Sequence, residues 1–504
     1  MNRNASILLG VASLGAASCC QAQQKPNVIL VLADDLGYGD ISALNTRSKI
    51  HTPNIDALAG RGIVFTDAHA TSSLSTPSRY SILTGRYSWR TTLKKGVGFG
   101  YTGPMITEGR ETVASMLSDN GYNTACIGKW HLGWNWAKKP GAKNGKDVDF
   151  SKPVANGVTD RGGFDYFYGI AASLDMPPYV YVENDMPTAV PDSISGNMDG
   201  LRLFRSGPIA PDFEPTECLG NFFQRAMNFV DAQTQSDKPF FLYLPLTAPH
   251  TPILPAKEYE GRTPIGPYGD FVVMIDDLLG NLVARLKANG QWENTILIFT
   301  SDNGCAPHID IPLLERQGHY PGYIYRGSKT DIYEGGHRMP LIVTWGDRYD
   351  GVVDDSLVSL SDFYATFAEM AGHELRDDEA EDSYSIWSNI ARTGTTARKD
   401  LVSLSGFGYL ALRVPDLKLI FWCGSGGQSY PTKPEDLAGL PDMQLYDMNA
   451  DAGERSNLIG DPKYRQTVEE LTARMRRYVN DGRSTPGKPQ KNDTANDWEQ
   501  TKLF

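Results

Sequence analysis

Pro26-Asn27-Val28-Ile29-Leu30-Val31-Leu32-Ala33 is a continuous apolar run that ends in Asp34-Asp35. It shows no polar alternation, so it suits a strand buried on both faces, of the kind found inside an α/β sheet. Two adjacent carboxylates at the end of such a strand are expensive to desolvate unless a cation compensates them. Solvated loop aspartates are the plainer reading of an Asp-Asp pair, so the weight falls on whether other strands end in the same way.

They do. Val113, Met116 and Leu117 give a helical pattern that stops at Asn120-Gly121; residues 122–127 then read as a strand that delivers Gly128-Lys129-Trp130-His131-Leu132-Gly133. Phe271, Val272, Ile275, Leu278, Leu279, Leu282 and Leu286 recur at helical spacing before Asn289-Gly290, and the buried strand 295–299 runs into Ser301-Asp302-Asn303-Gly304. Residues 240–244 form a further strand that leads to Pro249-His250-Thr251-Pro252, where a proline on each side restricts the loop carrying the histidine. Residues 341–345 read as a strand and 362–371 as a helix. Strands ending in polar loops, with helices between, predict an α/β sandwich whose site lies at the carboxyl ends of its central strands. Asp34, Asp35, Asp302 and Asn303 offer only oxygen, which suits Ca²⁺ or Mg²⁺ rather than zinc.

Ser75-Thr76-Pro77-Ser78-Arg79-Tyr80-Ser81-Ile82-Leu83-Thr84-Gly85 reads as a nucleophile at the mouth of a helix. Pro77 suits the first helical position and Gly85 a stop. Ser75 then sits where amide dipoles converge and favour negative charge, with Arg79 one turn along. Taken alone, a capping serine is the commoner meaning.

The 504 residues are 40% hydrophobic and 21% charged, enough to bury a large core. A net charge of −12 argues against a nucleic-acid partner and gives no general attraction to anions, so an anion site must be built from local cations. Residues 1–22, with Arg3 and the apolar run 7–12, read as an export signal, cleaved after Ala22 or lipidated at Cys19 or Cys20. No later stretch is apolar for long enough to cross a membrane. Cys126, Cys218, Cys305 and Cys423 show no metal spacing and are expected as buried thiols or at most one bridge. From residue 398 the texture changes: 409–414 and 418–423 flank Pro415-Asp416 as a hairpin, a helix is expected from 462 to 478, and 483–504 is a polar tail, surface-draped or disordered.

Ser75-x-Pro77-Ser78-Arg79 with Thr84-Gly85 resembles the signature of the type I sulfatases, in its serine form. Asp34-Asp35-Leu36-Gly37-Tyr38-Gly39-Asp40, Gly128–Gly133, Ser301–Gly304, Gly327-Ser328-Lys329 and Glu334–Pro340 are similar to further motifs of that family, and Gln444–Asp447 with Glu454 and Asn457-Leu458 to its C-terminal subdomain. His337 departs from the pattern only at a variable position. The resemblance implies an alkaline phosphatase-like α/β fold, a large mixed sheet flanked by helices, over 23–397, with a smaller α+β subdomain over 398–482. It implies that Ser75 is oxidised to formylglycine by an anaerobic maturase, and that Asp34, Asp35, Asp302, Asn303 and residue 75 hold Ca²⁺, ahead of Mg²⁺. Arg79, Lys129 and Lys329 would offset the charge of a sulfate ester, His250 would protonate the leaving oxygen and His131 would assist release of sulfate.

The substrate implied is a sulfated glycan, met outside the cytoplasm in the periplasm or tethered to the cell surface. The resemblance extends to exported sulfatases of gut Bacteroidetes, and places 4-O-sulfated galactose or N-acetylgalactosamine first and 6-O-sulfated hexosamine second. Asp175, in Ser173–Tyr179, is the candidate for orienting the sugar by the same likeness. Trp134, Asn135 and Trp136 are expected near the pocket mouth, with His308 and Arg326 as further candidates. The rival readings are a phosphodiesterase or phosphonate monoester hydrolase of the same superfamily, and a non-catalytic sulfoglycan-binding protein.

Overall fold

The computed structural model describes residues 25–504; the expected export signal and its cysteines lie outside the described residues. A ten-stranded mixed sheet runs, in spatial order, Val352–Ser359, Ile63–His69, Leu341–Trp345, Thr295–Ser301, Asn27–Ala33, Phe240–Pro245, Asn123–Lys129, Tyr166–Ile170, Val182–Glu183 and Met186–Pro187. Asn27–Ala33 is central and pairs in parallel with Thr295–Ser301 on one side and Phe240–Pro245 on the other. Its missing alternation has a direct cause. Ile29, Val31 and Ala33 join the core on one face of the sheet, under the helices Pro53–Gly60, Cys218–Gln233 and Pro267–Ala288, while Val28, Leu30 and Leu32 join the core on the other, under Val113–Asp119 and Phe363–Ala371.

Five neighbouring strands, from Thr295–Ser301 across to Tyr166–Ile170, are mutually parallel. Their carboxyl ends therefore open on one edge of the molecule, and the loops that leave them carry Asp302-Asn303, Asp34-Asp35, His250, Lys129-Trp130-His131 and Ser173–Asp175.

A four-stranded antiparallel sheet, Leu401–Leu404, Leu410–Arg413, Leu417–Ile420 and Gln444–Asp447, follows. The helix Arg465–Asn480 packs Leu471, Met475 and Val479 into its core with Leu410, Leu412 and Leu445. The tail is docked: Asp493 pairs with the buried Arg86 at 3.0 Å, and the Phe504 ring lies 4.7 Å from Phe421. Cys126, Cys218, Cys305 and Cys423 form no disulfide among the described residues, the first three being buried and Cys423 half-buried. No helix among the described residues is long and apolar enough to cross a membrane.

Candidate active site

The helix Ser75–Thr84 is buried along its whole length. It starts two residues earlier than the position of Pro77 suggested: Leu74 is the N-cap, Ser75 the first helical residue and Pro77 the third. A proline is acceptable there because the first amides of a helix have no intrahelical acceptor. Gly85 ends the helix in the left-handed region. The helix buries its polar side chains by local pairing, Ser81 and Thr84 donating to the carbonyls of Pro77 and Tyr80.

Ser75 Oγ lies 3.2 Å from Asp34 Oδ1, 3.4 Å from Lys129 Nζ and 3.5 Å from Asn303 Oδ1. Carboxylate oxygens of Asp34, Asp35 and Asp302 lie within 4.8 Å of one another, and all three residues are buried. Three cations face them. Lys129 donates to Asp34 at 2.6 Å, Lys329 to Asp35 at 2.8 Å, and Arg79 to Asp302 through Nε and Nη2 at 3.0 and 2.7 Å. Arg79 also holds the Lys129 carbonyl at 3.2 Å, so its guanidinium braces both the Asp302 carboxylate and the backbone that carries Lys129.

Burial by itself would raise the pKa of Asp34 and Asp35. Lys129, His250 and Arg79 hold Asp34 well below the usual carboxylate range, and Lys329 with His250 keeps Asp35 lowered. Burial lowers Lys129, whereas at Lys329 the attraction of Asp35 and Asp34 outweighs burial and raises it. Asp34 and Asp35 are thus ionised and hydrogen-bonded. Three carboxylates against three basic side chains leave the cluster formally balanced, so a divalent cation among these oxygens would add a net +2, the sign an anionic ester needs. The donor set fits a hard divalent cation and contains no sulfur or imidazole.

The backbone is strained where it delivers these groups: Asp35, His131 and Thr330 have φ of 65°, 60° and 80°. Such conformations cost roughly 1–3 kcal/mol each and persist where surrounding contacts fix them. Two glycines permit close approach. A Cβ on Gly128 would lie 1.9 Å from the Pro245 carbonyl, and one on Gly304 would lie 1.9 Å from that of Gly335. The first lets Asn123–Lys129 bring Lys129 in, and the second seats the loop after Asn303 on Gly335-Gly336, where the Gly304 amide donates to Gly336.

The histidines differ. His131 Nε2 donates to the Gly98 carbonyl at 2.9 Å, which leaves Nδ1 as a buried lone pair without a partner among the described residues. Burial, then Lys129 and Arg79, pushes its pKa well below the ordinary imidazole value, so it is neutral. His250 Nδ1 donates to the Thr251 carbonyl at 2.5 Å, and its Nε2 stands 3.6 Å from Asp35. His308 is exposed at the rim; the surrounding protein, more than any one charge, lowers its pKa, with Asp35, Lys329, His250 and Asp175 all in range.

Three of the expected substrate contacts are corrected by packing. Trp134 and Trp136 are 1% and 4% exposed; they meet edge-to-face at 5.2 Å and pack on Phe167 and Phe150, so neither ring offers a face to a sugar. Arg326 turns away from the site, stacked 3.9 Å over Tyr333 and donating to the carbonyls of Glu454 and Tyr430. Asn135, between the tryptophans, is exposed and bridges to Ala155. Asp175 is buried and ion-paired with Arg205. Two residues escaped the sequence reading. Ser173 takes a 2.6 Å hydrogen bond from Lys129 and could have been found as the polar group beyond strand Tyr166–Ile170. Arg205 carries no motif.

A mixed sheet whose parallel central strands gather a helix-borne serine, a cluster of three buried carboxylates and three buried cations at one edge defines a hydrolase of anionic esters with the alkaline phosphatase-like architecture. The family model named Sulfatase matches residues 26–373. The chain belongs to the sulfatase family and is a sulfuric ester hydrolase. It is similar to an N-acetylgalactosamine-6-O-sulfatase of Bacteroides thetaiotaomicron, 33% identical over 90% of this chain and 93% of the relative. It is also similar to the N-acetylgalactosamine-6-sulfatase of Sus scrofa, 28% identical over 96% of this chain and 91% of that one. A solved structure from Bacteroides thetaiotaomicron, described in connection with the metabolism of multiple glycosaminoglycans, superposes with a TM-score of 0.78 at 31% identity, covering 90% of this chain and 98% of that one.

Proposed function

We propose that this sulfatase removes 6-O-sulfate from N-acetylgalactosamine or a related hexosamine at the end of a sulfated glycan, after export. The cluster in which Lys129 meets both Asp34 and the Ser75 oxygen, while Lys329 and His250 Nε2 face Asp35, carries the chemistry; the two N-acetylgalactosamine-6-sulfatases among its relatives support the position. The 4-O-sulfated sugars put first from the sequence have no support among these relatives.

Ser75, once converted to formylglycine, would supply a hydrated aldehyde as nucleophile. The cation held by Asp34, Asp35, Asp302 and Asn303 would supply Lewis-acid charge, with Ca²⁺ the fit to an all-oxygen set. Lys129 and Lys329 hold the sulfate oxygens by charge-assisted hydrogen bonds. Arg79 fixes Asp302 and the Lys129 backbone. His250 Nε2 gives a proton to the sugar oxygen as the S–O bond to it breaks, and the His131 Nδ1 lone pair takes the proton lost from residue 75 when sulfate departs.

The test is a panel of regioisomeric monosulfated sugars. Turnover of N-acetylgalactosamine 6-sulfate without the 4-sulfate is expected; release from the 4-sulfate alone would overturn the assignment. For the metal, chelation is expected to lower Tm and Ca²⁺ to restore it, since an ion at about 100 times its Kd stabilises by about 2.7 kcal/mol. Elemental analysis that finds zinc at the site, or an unchanged Tm, would count against the ligand set.

A further inference from the structure

Asp175 and Arg205 form a second polar pair at the edge of the site, and the pair is incomplete. Asp175 Oδ2 is paired with Arg205 Nη1, while Oδ1 is buried and has no hydrogen-bond partner among the described residues. The Arg205 side chain is 43% exposed, and no hydrogen bond is made by its Nε or Nη2 among the described residues. That open edge is the one through which Arg79 takes Asp302 and Arg90 takes Asp382. Two parallel N–H groups on a planar cation match a carboxylate or sulfate.

The fold holds Arg205 at this place. The Arg205 amide donates to the Asp175 carbonyl at 3.2 Å, and its own carbonyl accepts from Tyr179 Oη at 2.6 Å. Gly207 is pressed so closely on Pro177 that a Cβ there would lie 2.2 Å from the ring. On the far side, the Leu201 carbonyl accepts from the Ile253 amide at 2.7 Å, three residues past His250, and the turn Gly200–Arg202 packs against the turn Pro307–Ile309 that carries His308. Asp175 shares a tight turn with Ser173, the residue hydrogen-bonded to Lys129. Arg205 thus stands between the Lys129 wall and the His250–His308 wall, a local cation in a chain whose net charge is −12.

We infer that Arg205 is a specificity-determining residue that binds a second oxyanion on the glycan, a uronate carboxylate or a further sulfate, next to the sulfate that is cleaved. Asp175 aims the guanidinium. This rests on the carbohydrate sulfatase reading and narrows its substrate class to glycans that carry charge beyond the scissile ester.

The experiment compares the mature enzyme and its Arg205→Ala and Arg205→Lys variants on three substrates with the same scissile sulfate: a simple monosulfated sugar, a disaccharide with an adjoining hexuronate, and a disulfated sugar. Arg205→Ala is expected to lower kcat/KM on the two substrates with a second charge about tenfold or more beyond its effect on the simple monosulfated sugar, mainly through KM, since the lost hydrogen bond is to a charged group. Arg205→Lys keeps the charge without the planar fork and should recover only part of the loss. Which charged substrate suffers more tells carboxylate from sulfate. Equal losses on all three would mean that Arg205 only neutralises Asp175, and would overturn the inference. Because removal of Arg205 strands a buried carboxylate, Arg205→Met with Asp175→Asn is the second variant; if it discriminates among the substrates as the unaltered enzyme does, the inference also falls. If the unaltered enzyme prefers another regioisomer, the comparison is made on that regioisomer, so failure of the 6-O assignment stays separate from failure of the Arg205 role.

Discussion

Ser75→Ala is expected to abolish turnover, with a loss on the order of 10⁶-fold in kcat, and to leave Tm nearly unchanged. The side chain is small, and what it loses is a set of long contacts, 3.2–3.5 Å, to groups that are already paired. Those same contacts show why serine itself would be a poor nucleophile. No histidine hydrogen-bonds to Oγ; its neighbours are a carboxylate held well below its usual pKa by cations, an amide and an ammonium. None of these is the poised base that an activated serine needs. An ammonium and a helix N-terminus instead suit an oxygen that already bears negative charge, as one hydroxyl of a hydrated aldehyde would after losing its proton. The peptide carrying residue 75 is therefore expected to weigh less by two hydrogens when the chain is produced with an anaerobic maturase, and activity should track the fraction converted. Full activity from chains with unmodified Ser75 would remove formylglycine from the mechanism.

The clustering of the candidate residues was legible to the extent that each candidate ligand sits where a buried strand ends. The run 28–33 carries its own evidence, because only a strand covered on both faces needs six apolar residues in succession, and the same argument found Asp302, His250 and the Lys129 loop. Contacts that depend on loop trajectory were not legible. Trp134 and Trp136 look alike in sequence whether they face a sugar or a core, and the rings that cover them, Phe150 and Phe167, are remote in the chain. Arg326 is three residues from Lys329, yet the turn at Gly327, φ 79°, sends it toward Glu454 and Tyr430 instead. The pairing of Asp175 with Arg205 spans thirty residues without a motif and exists only because the segment after strand Met186–Pro187 folds back over Pro177.

His250→Ala is expected to reduce kcat on sugar sulfates on the order of 10²–10⁴-fold, and to reduce turnover of an activated aryl sulfate far less. A sugar alkoxide is too basic to depart without a proton, whereas a nitrophenolate carries its charge unaided, so the two leaving groups isolate the proton transfer from every other role of the residue. The geometry names the atom. Nδ1 is occupied as donor to the Thr251 carbonyl, and prolines 249 and 252 bracket the loop, which leaves Nε2 as the nitrogen turned toward the site, 3.6 Å from Asp35. Acid catalysis requires the doubly protonated ring. His131 cannot substitute, because burial and the adjacent cations keep it neutral and its Nε2 proton is held by Gly98. Equal losses on alkyl and aryl sulfates would reassign His250 to binding, for a residue that only grips the sulfate serves both esters alike.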